Sequence, residues 1–292
     1  MNFRIIPKLD IKGPNLVKGI HFEGLRVMGK PEDFARHYYH QGADELIYMD
    51  AVASLYGRNS LLDIVERTSR EIFIPLCVGG GLRSVEDIRA VLRAGADKVS
   101  LNTAAIENPE LIRTASRVFG SSTVVVSIEA IKHASGKYEA CVEYGRQETG
   151  VDAIEWAQRA EALGAGELVV TSINQEGTGE GFDLELTRRI AEAVSIPVIA
   201  AGGAGSMEHV VQVLQEGKAD AVSIASLLHY NVVRQQQYAE EQFKIEGNVE
   251  FLQGRRGGAG FSKIEETTLP ELKDYLAQQG IDVRRQIIEE GA

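Results

Sequence analysis

The stretch I-P-L-C-V-G-G-G-L-R-S-V-E at residues 74–86 returns, altered but recognisable, as I-P-V-I-A-A-G-G-A-G-S-M-E at residues 196–208. The same shift, 74 onto 196, lays G-A-D-E-L-I (42–47) on G-A-G-E-L-V (164–169). After one inserted residue at Lys218, A-D-K-V-S (96–100) falls on A-D-A-V-S (219–223). Self-similarity at a fixed spacing marks a duplicated structural unit. Each copy alternates a short apolar run with an amphipathic segment: Ile74 to Val78, then Val85, Ile88, Val91 and Leu92 at helical spacing, then Val99 to Leu101. Strand, helix and strand in steady succession imply parallel strands joined by crossover helices.

Four such units per copy close more naturally into a barrel than into an open sheet. The fold class expected is α/β, a (βα)8 TIM barrel with a two-fold internal (βα)4 repeat. Residues 1–292 read as a single barrel domain, with half-barrels at about 1–120 and 121–230, an insertion at 231–265 after strand 8, and a terminal helix at about 269–280. Strands are expected to end near Leu9, Met49, Val78, Leu101, Ile128, Thr171, Ala200 and Ala225. In such barrels chemistry sits at the C-terminal ends of the strands, so every residue there is a candidate.

Composition narrows the classes. A chain that is 44% hydrophobic and 25% charged can bury a sizeable core. The formal charge of −11 argues against a general nucleic-acid or anionic-membrane surface, so an anionic ligand must be held locally. Cys77 and Cys141 lie far apart with no C-x-x-C spacing, which suggests neither a disulfide framework nor a zinc site. No window reaches the ~18 uninterrupted apolar residues of a membrane span, and a cytoplasmic location is expected. No cofactor and no metal are indicated. His37, Tyr38, Tyr39 and His40 are consecutive on a helix and face different directions, which disfavours a metal site there.

Two glycine turns correspond under the repeat: Gly79-Gly80-Gly81 after strand 3 and Gly202-Gly203-Ala204-Gly205 after strand 7. Glycines there let backbone N–H groups close on a phosphate at a helix N-terminus, although tight βα turns alone would also use them. The strands that follow end in Asn102 and Thr103 in one half and in Ala225 and Ser226 in the other. A duplicated barrel thus offers two phosphate sites across one mouth, suited to a long ligand with a phosphate at each end. Asp50, ending strand 2, can orient a substrate hydroxyl. T-V-V-V-S-I-E-A-I (123–131) is a buried strand whose apolar run stops at Glu129, a carboxylate at the mouth. His209 and His229 can approach ligand or serve in capping and packing, and Trp156 is expected to pack its helix on the barrel.

K-L-D-I-K-G-P-N-L-V-K-G-I, G-A-D-E-L-I-Y-M-D, V-G-G-G-L-R, A-G-A-D-K-V-S-L-N-T-A-A, T-S-I-N-Q-E-G-T-G-E-G-F-D and I-A-A-G-G-A-G resemble, in order and spacing, the cyclase subunit of imidazole glycerol phosphate synthase along residues 1–230. That resemblance implies a phosphorylated small-molecule substrate and a separate glutaminase docked on the barrel floor. Ammonia would rise through the core and attack a bisphosphate at the mouth, yielding imidazole glycerol phosphate and an aminoimidazole carboxamide ribotide. The family's acid–base aspartates fall on Asp10 and Glu129. Its binding positions add Lys18, Thr171, Glu176 and Gly177 to Asp50, Gly80, Gly81, Asn102, Thr103, Gly202, Gly203, Ala225 and Ser226. Its ammonia gate falls on Arg4, Glu45, Lys98 and Glu167, with Asp97 as a partner-facing acid; a plain salt-bridge network closing the floor is the alternative.

Several mouth positions depart from the family. Glu129 stands for an aspartate, Lys8 for a cysteine, Asn174 and Glu176 for two aspartates, and Ala201 for a serine. A longer side chain at an acid–base position matters because misplacement by ~1 Å can cost about 10²-fold in rate. Residues 231–265, with Arg255-Arg256 among glycines, replace a short crossing; they suit either an anion-closing loop or a solvated surface segment. Three functions follow. The altered mouth and the lengthened C-terminal region are similar to a paralogous branch serving acetamido-to-acetamidino modification of surface-polysaccharide sugars, with a third, sugar-modifying enzyme as possible partner, and this reading is preferred. The alternatives are the histidine-pathway cyclase itself and a non-catalytic ammonia conduit between a glutaminase and a third enzyme.

Overall fold

A computed structural model of the chain describes residues 2–53, 61–235 and 263–285. Strand β1 (Arg4–Lys12) runs up the barrel and turns back as β2 (Asn15–Ile20) and β3 (Glu23–Gly29). The barrel continues with β4 (Leu46–Asp50), β5 (Leu76–Gly79) and β6 (Lys98–Leu101). Strand β7 (Val124–Lys132) repeats the β1 pattern by turning back as β8 (Tyr138–Val142) and β9 (Gln147–Asp152). β10 (Glu167–Ser172), β11 (Val198–Ala201) and β12 (Ala221–Ile224) complete the wall. Parallel pairing runs β1–β4–β5–β6–β7–β10–β11–β12, and β12 pairs with β1 to close the circle. This is the (βα)8 barrel expected from the repeat.

The crossover helices are α1 (Pro31–His40), α2 (Leu62–Ser69), α3 (Val85–Arg93), the pair α4 (Thr103–Glu107) and α5 (Glu110–Phe119), α6 (Ala153–Leu163), α7 (Leu184–Ala193) and α8 (Met207–Gln215). Helix α9 (Ser226–Gln235) follows β12, and α10 (Leu269–Gln278) is the terminal helix. Local chemistry sets several of their starts. Ser84 and Asp87 form a capping box on α3, Asp152 caps α6, and Thr268 with Glu271 caps α10, each satisfying backbone N–H groups that the first turn leaves free. Helix α10 is latched to the floor by buried Lys273, whose ammonium donates to Gly42 O at 2.7 Å and pairs with Asp44 at 2.8 Å.

Strand alternation sorts the core into two layers. Ile5, Leu9 and Ile11 of β1 face outward into a cluster shared with the helices, including Trp156 of α6. Ile6 faces inward with Ile47, Cys77, Val125, Val169 and Ile199. The period of two therefore puts Arg4, Ile6, Lys8 and Asp10 of β1 on the inner wall, one above another. β7 likewise stacks Val125, Ser127 and Glu129, and β10 stacks Glu167, Val169 and Thr171. From floor to mouth the interior passes from a charged ring, through an apolar belt, to charged and hydroxyl groups.

The two strands expected to end at Leu9 and Ile128 do not stop there. Past the barrel rim β1 pairs antiparallel with β2, and β7 with β8. Each half thus carries a hairpin in place of a simple βα loop. The terminal helix spans Leu269–Gln278. Most of the 231–265 insertion, including Arg255 and Arg256, lies outside the described residues.

Candidate active site

Asp10 and Glu129 occupy equivalent points, where each strand leaves the barrel for its hairpin. Asp10 is registered with Met49 of β4 on one side and Val17 of β2 on the other; Glu129 is registered with Thr171 of β10 and Cys141 of β8. Both side chains are buried. The Glu129 carboxylate accepts from Asn102 Nδ2 at 2.9 Å and from the Gly145 backbone N–H. The extra methylene relative to aspartate is used to reach these two donors, so the longer side chain is held rather than loose. Burial, opposed by the nearby Lys8 charge, pushes the Glu129 pKa up to about 7. Asp10 is differently placed, with its Oδ1 3.2 Å from Lys8 Nζ, and burial together with the Asp10 charge pushes the Tyr144 hydroxyl pKa well up. Burial works against the Lys8 charge, but Asp10, Glu176 and Glu129 together outweigh it and hold the ammonium pKa above the ordinary lysine value.

The two hairpins meet above these groups. At the tips formed by the β2–β3 and β8–β9 turns, His21 and Phe22 in one half and Glu143, Tyr144 and Gly145 in the other all have positive φ. Phe22 and Tyr144 are counterparts under the sequence shift, and their rings lie 4.3 Å apart. Both are nearly fully buried. Gly145 must be glycine here, since a Cβ would stand 2.8 Å from Phe22 Cδ2. The contact forms a roof over Asp10 and Lys8, whose ammonium is 5.3 Å from the centre of the Phe22 ring. Tyr144, Gly145 and Phe22 escaped the sequence reading. A signal existed in E-Y-G (143–145) between two β-prone runs, which is a hairpin pattern.

Two cavities flank the carboxylates, one per half. The first, of about 230 Å³, is lined by Asp50, Gly80, Gly81, Asn102, Thr103 and Glu129. The second, a narrow space of about 20 Å³, is lined by Gly177, Gly202, Gly203, Ala225 and Ser226 together with Lys18 and Glu176. Those two form a buried ion pair at 2.6 Å, and Lys8 joins them on the wall. Burial would raise the Glu176 pKa, but Lys18 and Lys8 outweigh it and hold the carboxyl below its ordinary value. Gly80, Gly81, Gly202 and Gly203 all have positive φ. Packing alone would demand some of this, because a Cβ on Gly203 would lie 2.0 Å from Gly181 O. Ser100 and Ser223, equivalent under the repeat, place one buried Oγ without a hydrogen-bond partner on each cavity wall. Thr171, expected to bind substrate, lines neither cavity; it is fully buried beneath Gly202.

At the floor the four charged residues form a closed ring. Glu45 pairs with Arg4 at 2.8 Å and with Lys98 at 2.8 Å; Glu167 pairs with Lys98 at 3.0 Å and with Arg4. Burial raises the Glu45 pKa against the pull of Lys98, while the acids hold both cations above their ordinary values against burial. Asp97 is exposed, yet its carboxylate accepts the Leu76 N–H at 2.9 Å. Asp44 and Asp220 do the same for Ile5 and Val198. Duplication therefore accounts for Asp97 without a partner. His209 accepts from Gly205 N–H at 3.2 Å at the start of α8, a capping contact.

A family model described as histidine biosynthesis protein matches residues 4–234. The chain belongs to this family. Within it, the chain is 58% identical over 207 residues to imidazole glycerol phosphate synthase subunit HisF of Legionella pneumophila, covering 71% of this chain and 98% of that one. The HisF subunit of Alkaliphilus metalliredigens is 50% identical over 230 residues, covering 79% and 91%. That of Methanocaldococcus jannaschii is 47% identical over 300 residues, covering 96% and 98%. The last alignment extends past residues 231–265 on both sides.

Proposed function

We propose that this chain is the ammonia-using cyclase subunit of an imidazole glycerol phosphate synthase. One observation carries the reading: a pair of repeat-related cavities with glycine turns flanks a pair of repeat-related carboxylates. A substrate with a phosphate at each end spans the two cavities, and its reacting centre then lies between Asp10 and Glu129. Ammonia that attacks an electrophilic carbon must lose a proton, and the nitrogen that leaves must gain one. Glu129, with a pKa near 7, is suited to donate; Asp10, ion-paired to Lys8, is suited to accept. The orphaned Ser100 and Ser223 hydroxyls offer polar contacts to ligand in each half.

A glutaminase on the floor would supply ammonia through the Arg4–Glu45–Lys98–Glu167 ring, which is closed and must part at one ion pair for passage. The relatives named as synthase subunits favour this reading over the polysaccharide-sugar role, which rests on the departures at the mouth. Of those departures, Lys8 and Glu129 still favour a second reading, an ammonia-using synthase with a different acceptor. The test is complementation of a strain lacking the histidine cyclase, with its own glutaminase present. Growth is expected; no growth from well-expressed, folded protein would favour the second reading.

A further inference from the structure

We propose that Lys8 is the cation of the second anion cavity, binding the phosphate end of the substrate there while serving as counter-ion to Asp10. The inference rests on the reading of the Gly202-Gly203 turn as an anion site. A lysine inside a barrel wall is costly unless it is paired, because desolvation penalises the ammonium. Lys8 is 6% exposed, and its ion pair with Asp10 at 3.2 Å occupies one side of a group that carries three donors. On another side Lys8 lines the second cavity together with Gly202 and Gly203.

The other cation there is already committed. Lys18 Nζ donates to Glu176 at 2.6 Å and to Gly19 O at 2.8 Å. A doubly charged phosphate entering beside Glu176 would meet a carboxylate whose charge Lys18 only balances. The positive charge that remains for the anion is that of Lys8, which Asp10 shares. The backbone is clamped to hold it there. β12 stops at Ile224, opposite Pro7, so the next β1 carbonyl on that side has no ladder partner. Buried His229 supplies one, donating from Nε2 to Lys8 O at 2.9 Å. Burial pushes the His229 pKa down to about 3, so the ring is neutral, and its Nδ1 accepts from the Tyr38 hydroxyl at 2.6 Å. The duplicated half differs: the residue two before Glu129 is Ser127, which lines the first cavity, and the cation on that cavity's wall is the exposed Arg83. The two anion sites are thus unequal, one with an exposed arginine at its wall and one with a buried lysine tied to an acid–base carboxylate. A phosphate in the second cavity draws the Lys8 charge toward itself, so binding at that end acts on Asp10.

The test is titration of the full chain with inorganic phosphate, followed by NMR at the backbone amides of Gly202 and Gly203, with those of Gly80 and Gly81 as internal reference. Lys8→Met is expected to weaken phosphate binding at Gly202 and Gly203 by about tenfold or more and to leave Gly80 and Gly81 within about twofold. Lys8→Arg, which keeps the charge, is expected to stay within about threefold of the parent. Unchanged affinity in Lys8→Met, or equal loss in Lys8→Met and Lys8→Arg, would overturn the assignment. So would wild-type protein whose Gly202 and Gly203 amides ignore phosphate. Should Lys8→Met not fold, Lys8→Gln gives the same comparison. If phosphate binding depends on Lys8 while the chain fails to turn over the bisphosphate with ammonia, the cyclase reading falls and the Lys8 assignment stands.

Discussion

Glu129 shows how one methylene can be absorbed by its surroundings. The carboxylate is fixed by Asn102 and by the Gly145 amide, and burial keeps it protonated up to about pH 7. Because its folded pKa lies above the unfolded value, its stabilising contribution is fully present below the unfolded pKa of about 4.5 and is lost as pH rises through about 7. Glu129→Gln mimics the protonated form and does not titrate. Urea unfolding at pH 5 and pH 8 is therefore expected to show the variant gaining on wild type at the higher pH, by on the order of 1–3 kcal/mol. An unchanged difference between the two pH values would show that the carboxyl is ionised throughout. That a carboxylate sits at this point was legible in the sequence, because a buried apolar run ends there. Its protonation was not, because the partners that set it come from residues 102, 145 and 8, far apart along the chain.

The hairpins are the elements that distinguish this mouth from a bare barrel rim. The eight barrel strands were legible because a duplicated alternation of apolar runs and helical spacing leaves few architectures. The extensions of β1 and β7 were not, because a strand that leaves the barrel keeps its alternation and gives no stop signal at the rim. The Phe22–Tyr144 contact follows from that symmetry, with each half contributing one ring and the tips meeting over Asp10. Tyr144→Phe retains the ring and removes the hydroxyl that feels the Asp10 charge. Its ammonia-dependent turnover is expected to fall about three- to tenfold, mostly in kcat, with thermal stability nearly unchanged. A loss confined to KM would instead assign the hydroxyl to substrate binding.

At the scale of the whole molecule, the barrel carries two charged layers along its axis. The floor ring of Arg4, Glu45, Lys98 and Glu167 lies one apolar belt below Lys8, Asp10 and Glu129. The ring was legible as four charged residues, but its closure, with each acid bonded to both cations, is a tertiary fact. If the ring gates ammonia from a partner, Lys98→Ala should lower glutamine-dependent turnover severalfold and leave turnover driven by added ammonium salt within about twofold. Equal losses in the two assays would mark the ring as structural. The central claim is that the mouth performs ammonia-dependent ring formation. The most direct measurement supplies the purified chain with ammonium salt and the bisphosphate substrate and follows product release. Imidazole glycerol phosphate and the aminoimidazole carboxamide ribotide are expected in equal amounts, with Asp10→Asn slower by at least about 10²-fold. Absence of both products from the folded wild-type chain, or an Asp10→Asn variant as fast as wild type, would contradict it.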